Sequence, residues 1–328
     1  MTAPSEQLAT EFDPETLAPG FHRLWLTLEP PPLGQPALPA LPVLCWRGST
    51  SRPRLIATAG VHGDEYEGPE ALWRLDRLGP RQMHGCLIAL PCCNPWAANA
   101  ATRATPESID GLNLARLFPG DVAGRPTERL ADSLFRLIHR LAGPDDLLVD
   151  LHAGGVALEF LPVVGYRALP GLAIQRSEAA ARSFGIERLW CMAPHAGTLT
   201  DAAMHVGIAC VGAEMAGTGG ARSEHVTLYR DGVYNLLRFQ GILPDRPPPR
   251  TTALVMATTN VLASDDGRLL LHVAVGDQVQ AGQALGQIVT ILGEHVAPVR
   301  APCSGMLWAL RHLRQVARGD LVATVAAP

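Results

Sequence analysis

The chain has 328 residues, of which 47% are hydrophobic and 18% are charged, a composition typical of a folded globular protein. Its net charge of −4 and its lack of basic clusters argue against nucleic-acid binding, and no apolar run approaches the ~18 residues of a membrane span. All 27 basic residues are arginine, which excludes Schiff-base chemistry, a phosphate-loop lysine and lysine-linked prosthetic groups.

The first half of the chain alternates apolar runs with turns. Residues 21–48 contain several prolines and are expected to form edge strands and loops. A strand over 54–60, a polar turn and a helix from about Pro69 to Leu78 follow, and then a strand over Cys86 to Leu90. The long stretch 92–126 is predicted to be irregular, and loops of this length are usually functional. Next comes a helix over Thr127 to Leu141 with Thr127 as its cap.

The second half continues the alternation. The predicted segments are strands over 147–151, 159–165 and 208–213, and helices over 172–184, 198–206 and about 224–239. Strands that alternate with helices indicate an α/β fold, here a mixed and mostly parallel sheet flanked by helices. A proline-rich linker over 244–250 then leads to short strands with frequent turns, which predict a small all-β barrel. We therefore expect a catalytic domain at 1–245 and a C-terminal β-barrel domain at 251–328.

Two of the predicted strands end in histidine. His62 follows the strand over 54–60 and has Glu65 three residues later, while His152 follows the strand over 147–151. The C-terminal ends of strands in an open α/β sheet meet in one crevice, and two imidazoles with a carboxylate are typical ligands of hydrolytic zinc. Each histidine alone could equally be a hydrogen-bonded structural residue. Together they predict one zinc per chain, held by His62, Glu65 and His152.

A zinc hydrolase also needs a proton-transferring group and a cation for the developing oxyanion. Glu214 follows a buried strand, as the two histidines do, and is the candidate general base; a solvated strand-end acid is the alternative. Arg103 and Arg116 lie in the long loop and are candidate cations, although loop arginines are commonly just solvated.

The ordered motifs resemble the succinylglutamate desuccinylase/aspartoacylase family of the zinc carboxypeptidase superfamily. They are His62-Gly63-Asp64-Glu65, Asn94-Pro95, Arg103, the run from Asp110 to Gly120, Asp150-Leu151-His152 and Glu214. The resemblance implies that Arg103 polarises the scissile carbonyl, that Arg116 faces a substrate carboxylate, and that Asn113 orients His62.

The chain departs from the family pattern at two places. Ala115 stands where the family usually has asparagine, and the stretch 197–213 lacks the arginine that aspartoacylases carry shortly before the catalytic glutamate. Asp201, if it faced the cleft, would favour an amine-bearing product, so a neutral or cationic N-acyl compound is expected to be preferred over N-acetylaspartate. Arg167 or Arg222 would have to supply the missing cation if N-acetylaspartate proved to be the better substrate.

The sequence thus predicts a zinc-dependent deacylase of small N-acylated amino acids or amines. A metallocarboxypeptidase and a non-catalytic scaffold with a vestigial metal site remain as alternatives. The C-terminal segment resembles a biotinyl/lipoyl-type module but has no lysine to modify, so packing, homo-oligomerisation or lining the active-site rim is its expected role. Seven cysteines without a C-x-x-C spacing and a polar start without a secretory signal suggest the cytoplasm, with no nucleic-acid or membrane partner.

Overall fold

The computed structural model describes residues 7–9, 11–28, 37–75, 78–245 and 251–327. The triple proline at 30–32 and most of the proline-rich linker lie outside these ranges. Within them, no helix is long and apolar enough to cross a membrane.

The described residues form strands and helices in alternation through the first three quarters of the chain and strands alone after it. The strands are β1 Gln7–Ala9, β2 Gly20–Leu26, β3 Leu41–Arg47, β4 Arg54–Ala59, β5 Cys86–Leu90, β6 Leu147–Ala153, β7 Leu158–Arg167, β8 Leu189–Met192, β9 Ala209–Gly217, β10 Val255–Leu262, β11 Gly267–Leu271, β12 Gln278–Val279, β13 Ala284–Val289, β14 His295–Arg300, β15 Gly305–Arg311, β16 Gln315–Val316 and β17 Leu321–Ala327. The helices are α1 Glu67–Trp73, α2 Pro95–Ala100, α3 Pro126–Leu141, α4 Leu172–Ser183, α5 Leu199–His205 and α6 Ser223–Phe239.

The centre of the molecule is a mixed sheet with an α/β arrangement, as the sequence predicts. Strands β5, β4, β6 and β9 lie side by side and pair in parallel, so their C-terminal ends share one edge. The flanking strands β3 and β7 pair antiparallel with this group. Every residue of β4 and β5 is buried, which is why β5 is a continuous apolar run and β4 is apolar except at Arg54 and Thr58.

Helices cover both faces of this sheet. Successive side chains of a strand point to opposite faces, and Leu55 and Ala57 of β4 pack into a core that includes residues of α1, α4 and α6. The intervening Ile56 packs into the opposite core, which includes residues of α3 and α5. The alternation along one strand therefore accounts for the helix–sheet–helix layers.

The C-terminal strands are joined to the central sheet by backbone pairing. Strand β10 pairs in parallel with β8, and β15 pairs antiparallel with β7. With the pairs β7–β8, β10–β17 and β15–β17, these contacts close a ring of five strands. A second sheet, in the order β14-β13-β11-β16, packs over a separate apolar core within the C-terminal segment.

Several predicted boundaries were wrong. The helix expected to begin at a Thr127 cap begins at Pro126, and Arg125 occupies the cap position, because proline suits the first helical residue. Thr127 instead donates its hydroxyl to Asp110 Oδ1 at 2.6 Å. The stretch 92–126 is not wholly irregular, since it contains α2. Strands β1, β8, β10, β14 and β16 were not predicted.

Candidate metal centre and catalytic cavity

Parallel strands bring the predicted metal ligands to one edge of the sheet. Gly60, with φ of +62°, ends β4 and turns the chain toward His62. Strand β6 continues to Ala153, so His152 lies near its C-terminal end and pairs directly with Glu214 on β9. Residues far apart in sequence are thereby placed on neighbouring strands.

The three predicted ligands form one compact group. His62 Nδ1 lies 2.7 Å from Glu65 Oε1, and His152 Nδ1 lies 3.0 Å from Glu65 Oε2. One donor atom from each of the three residues lies within 4.8 Å of the others, and His62 and Glu65 are buried. Two nitrogens and a carboxylate that converge in this way fit the donor set of a divalent zinc ion.

Each histidine is held through its second ring nitrogen. His62 Nε2 lies 3.1 Å from Asn113 Oδ1, which also accepts the backbone N–H of Ala115 at 3.0 Å. His152 Nε2 lies 3.1 Å from Asp150 Oδ2. Because both partners are acceptors, each Nε2 can donate a proton to its partner, and each Nδ1, which faces Glu65, would be the atom offered to a metal ion. This is the arrangement that metal-binding histidines generally require.

The charges of the group depend on one another. Burial alone would raise the pKa of Glu65, but the neighbouring His62 and His152 hold it well below its ordinary value. Burial opposes protonation of His152, yet the negative charges of Asp150 and Glu65 raise its pKa well above the usual value. Burial lowers the pKa of His62. Glu65 is thus kept ionised, as a metal ligand must be.

The backbone around His152 is fixed from two sides. The Tyr229 hydroxyl, buried in α6, donates to the carbonyl of His152. On the other side, Asp64 Oδ2 accepts the backbone N–H of Val156 at 3.0 Å. Gly155 has φ of +57°, and a Cβ there would lie 2.3 Å from Asp64 Oδ2. The glycine is therefore needed for both the turn and the close approach.

Glu214 lines the same cavity as the two histidines. Its Oε2 atom is buried and has no hydrogen-bond partner in the described part of the chain. Burial raises the pKa of Glu214 to about 8, while the charge of His152 lowers it. A carboxyl group that titrates near neutral pH is suited to take up and release a proton.

The two predicted loop arginines also line this cavity. Arg103 Nη1 donates to Glu65 Oε1 at 2.9 Å, so this arginine contacts the ligand group itself. Arg116 ends a short 3-10 turn and donates to the carbonyl of Ala115 at 2.8 Å. Arg116 has no acidic partner among the described residues, and its charge is available to a bound anion.

Arg167 was singled out in the sequence only as a substitute cation, and it lines the cavity at the end of β7. Its Nε donates to Thr200 Oγ1 at 3.0 Å and its Nη1 to the carbonyl of Ala193 at 2.8 Å. Asp201 does not line the cavity: it is buried, and its Oδ1 accepts the backbone N–H of His195. Asp201 therefore does not face the cleft, and the condition under which it was expected to favour an amine-bearing product is not met.

The cavity has a volume of about 240 Å³ and includes residues that the sequence analysis missed. Trp190 of β8 and His195 belong to its lining, as do Asn260, Leu321 and Thr324 of the C-terminal strands. The strand-end rule that identified His152 does not find Arg167, because β7 runs antiparallel to β9. Nor does it find the C-terminal residues, because they depend on pairings between distant strands.

Comparison with known proteins gives consistent matches. Residues 51–240 match the family model described as succinylglutamate desuccinylase/aspartoacylase catalytic domain. The chain is 32% identical over 336 aligned positions to an N-alpha-acetyl-L-2,4-diaminobutyric acid deacetylase of Halomonas elongata, covering 98% of this chain and 95% of that protein.

Solved structures with similar folds cover nearly the whole chain. A succinylglutamate desuccinylase/aspartoacylase of Rhodobacter sphaeroides has a TM-score of 0.84 and 27% identity, covering 98% of this chain and 99% of that one. The product-bound ectoine utilization protein of Ruegeria pomeroyi has a TM-score of 0.82 and 26% identity, with 95% and 98% covered. The similarity therefore includes the C-terminal strands as well as the catalytic region.

Proposed function

Because the chain belongs to the succinylglutamate desuccinylase/aspartoacylase family, we propose that it is a zinc-dependent deacylase, which hydrolyses the amide bond of a small N-acylated amino acid. The observation that carries the proposal is the convergence of His62, Glu65 and His152 in one cavity beside Glu214. A non-catalytic scaffold would have no need of a buried carboxyl group left without a hydrogen-bond partner next to this group.

His62, Glu65 and His152 are the proposed zinc ligands, and Asn113 and Asp150 orient the two histidines. When bound, zinc supplies a Lewis acid that polarises a carbonyl and makes water a better nucleophile near neutral pH. Glu214 takes the proton from the attacking water and delivers it to the departing amine nitrogen. Arg103 stabilises the negative charge that develops on the carbonyl oxygen.

The substrate's carboxylate is proposed to bind between Arg116 and Arg167. Both guanidinium groups line the cavity, and neither forms a salt bridge with an acid of the described residues. Burial lowers the pKa of Arg167, while the nearby charge of Asp201 raises it and that of Arg116 lowers it. A carboxylate between Arg116 and Arg167 would offset the repulsion between the two guanidinium groups. The small cavity favours a single N-acyl amino acid over a peptide.

The side chain of the preferred substrate is proposed to be cationic or neutral. The support is the Halomonas elongata relative, whose name gives an acetylated diamino acid as its substrate. The lining also lacks a third arginine free to meet a second carboxylate, since Arg103 is engaged by Glu65. N-acetylaspartate and N-succinylglutamate should accordingly be poor substrates.

The test is a comparison of kcat/KM for Nα-acetyl-diaminobutyrate and N-acetylaspartate with zinc-loaded protein. We expect the diamino compound to be preferred by about tenfold or more, which corresponds to ~1.4 kcal/mol of differential transition-state binding. Chelation should abolish both activities, and added zinc should restore them. A preference for N-acetylaspartate would refute the assignment of substrate charge, and full activity after verified zinc removal would refute the metal dependence.

The remaining expectations accompany this proposal. The division into a catalytic domain at 1–245 and a C-terminal domain at 251–328 is proposed as a description of the chain's folding units, although strand pairing joins them. All seven cysteines are free thiols, which supports a cytoplasmic location. Homo-oligomerisation, an expected role of the C-terminal segment, can be measured by light scattering.

A further inference from the structure

The C-terminal strands supply an uncharged wall to the catalytic cavity. Asn260 of β10 and Leu321 and Thr324 of β17 line the cavity that contains His62 and Glu214. All arginine, aspartate and glutamate residues of the lining lie before residue 240. A wall without charge cannot neutralise a buried ion, so it fits a part of the ligand that is uncharged or remains in contact with water.

Asn260 and Thr324 act as a cross-strand pair on this wall. They are register partners on β10 and β17, and the Thr324 hydroxyl donates to Asn260 Oδ1 at 3.1 Å. Thr324 is buried, whereas Asn260 is exposed, which places the amide where the cavity meets solvent. Asn260 Nδ2 makes no hydrogen bond to the described part of the chain. Cross-strand pairs of this kind also occur where they only stabilise a sheet, but this pair lies in the cavity lining.

The wall is held in place by the backbone of the catalytic region. Val255 of β10 pairs with Leu189 of β8, and the indole Nε1 of Trp190 donates to Thr258 Oγ1 at 3.1 Å. Trp190 also lines the cavity. Because the five-strand ring closes through such pairings, Asn260 has a fixed position relative to the metal ligands.

We propose that Asn260, oriented by Thr324, is a specificity-determining residue that faces the side chain of the substrate's amino-acid part. The inference rests on the proposed deacylase function. The substrate's carboxylate is assigned to Arg116 and Arg167 and its scissile carbonyl to Arg103, which leaves the amino-acid side chain for the uncharged wall. Asn260 then forms a hydrogen bond with that side chain at a water-accessible position, and its neutral amide does not select for the charge of the side chain.

The test introduces a charge at this position, and Asn260→Asp does so without changing the shape of the side chain. Three N-acetyl amino acids with side chains of similar length serve as probes: diaminobutyrate is cationic, norvaline neutral and glutamate anionic. Asn260→Asp should raise the ratio of kcat/KM for the cationic over the anionic probe by about tenfold or more, because a new carboxylate would lie near the side-chain charge. Asn260→Arg should shift the same ratio in the opposite direction.

The matched control is Gln315→Glu, which adds the same negative charge to an exposed strand position outside the cavity lining. Its ratio should equal that of the unsubstituted protein. The inference is overturned if Asn260→Asp hydrolyses the three probes in the same proportions as Gln315→Glu. Failure of the unsubstituted protein to hydrolyse any probe would instead overturn the deacylase proposal, and this inference with it.

Discussion

Glu214→Gln is the most informative substitution, because it removes the proposed proton-transferring group and leaves the shape of the side chain unchanged. Glu214 is not one of the three proposed zinc ligands, so the variant should bind zinc as the unsubstituted protein does. Its carboxylate Oε2 has no hydrogen-bond partner in the described structure. The substitution therefore breaks no bond of that atom within the chain, and a loss of turnover can be attributed to proton transfer.

The expected loss of kcat is about 10²-fold or more, since general-base catalysis typically contributes 10²- to 10⁴-fold. That range corresponds to roughly 2.7–5.5 kcal/mol of activation free energy. The substitution should also change how the free energy of unfolding depends on pH. Burial raises the pKa of Glu214 from its ordinary value of 4.5 to about 8, so the folded chain binds this proton more tightly than the unfolded chain does. Its contribution to stability is therefore lost as pH rises from about 4.5 through 8.

The assay pairs turnover with metal content and with denaturant unfolding after chelation, between pH 5 and pH 9. Glu214→Gln should keep full zinc occupancy, and its stability relative to the unsubstituted protein should improve as pH rises. Glu224→Gln, at an exposed position of α6, is the control for loss of a carboxylate. Undiminished turnover in Glu214→Gln would assign the base to another residue. If the stabilities of Glu214→Gln and of the unsubstituted protein changed with pH in the same way, Glu214 would not have a raised pKa.

Four further substitutions test the rest of the site. His62→Ala and His152→Ala should each reduce bound zinc from about one per chain to background in elemental analysis, and an unchanged stoichiometry would contradict the ligand assignment. Tyr229→Phe removes the hydroxyl that holds the carbonyl of His152, and should weaken zinc binding by roughly tenfold in competition with a chelator; an unchanged affinity would make this contact purely structural. Arg167→Gln should raise KM for an N-acetyl amino acid by about tenfold or more, since hydrogen bonds to charged groups contribute roughly 1.5–3 kcal/mol. The corresponding N-acetyl amino-acid amide should be unaffected, and an equal loss for both would place the carboxylate elsewhere.

The sequence was sufficient to predict the central strands and the group of metal ligands. Strands β4 and β6 are mostly apolar and buried, so the two strands could be located from the sequence, and parallel pairing makes their ends meet. His62 and His152 follow from that rule alone. Asn113 was implied by the family resemblance, and the structure places its Oδ1 beside His62 Nε2.

The ring that closes the cavity could not be predicted from local patterns. Strand β10 has exposed and half-buried residues in place of a continuous apolar run, so its sequence does not stand out. Its partners β8 and β17 lie on either side of it in the sheet and more than fifty residues away in sequence. Which distant strands pair is decided by the packing of the whole molecule. Asn260 therefore became a candidate only when the fold was known.

This difference reflects how the two parts of the site are built. The metal ligands and Glu214 lie on or just beyond β4, β6 and β9, which are adjacent parallel strands, so the spacing of roughly 4.8 Å between neighbouring strands largely sets the separation of their donor atoms. Arg103 and Arg116 come from a connecting segment, and Asn260 from a strand added at the far side of the ring. Substitutions can therefore alter these residues while the sheet and its metal ligands remain unchanged. We expect relatives with the same ligand group to differ in substrate mainly at these outer positions.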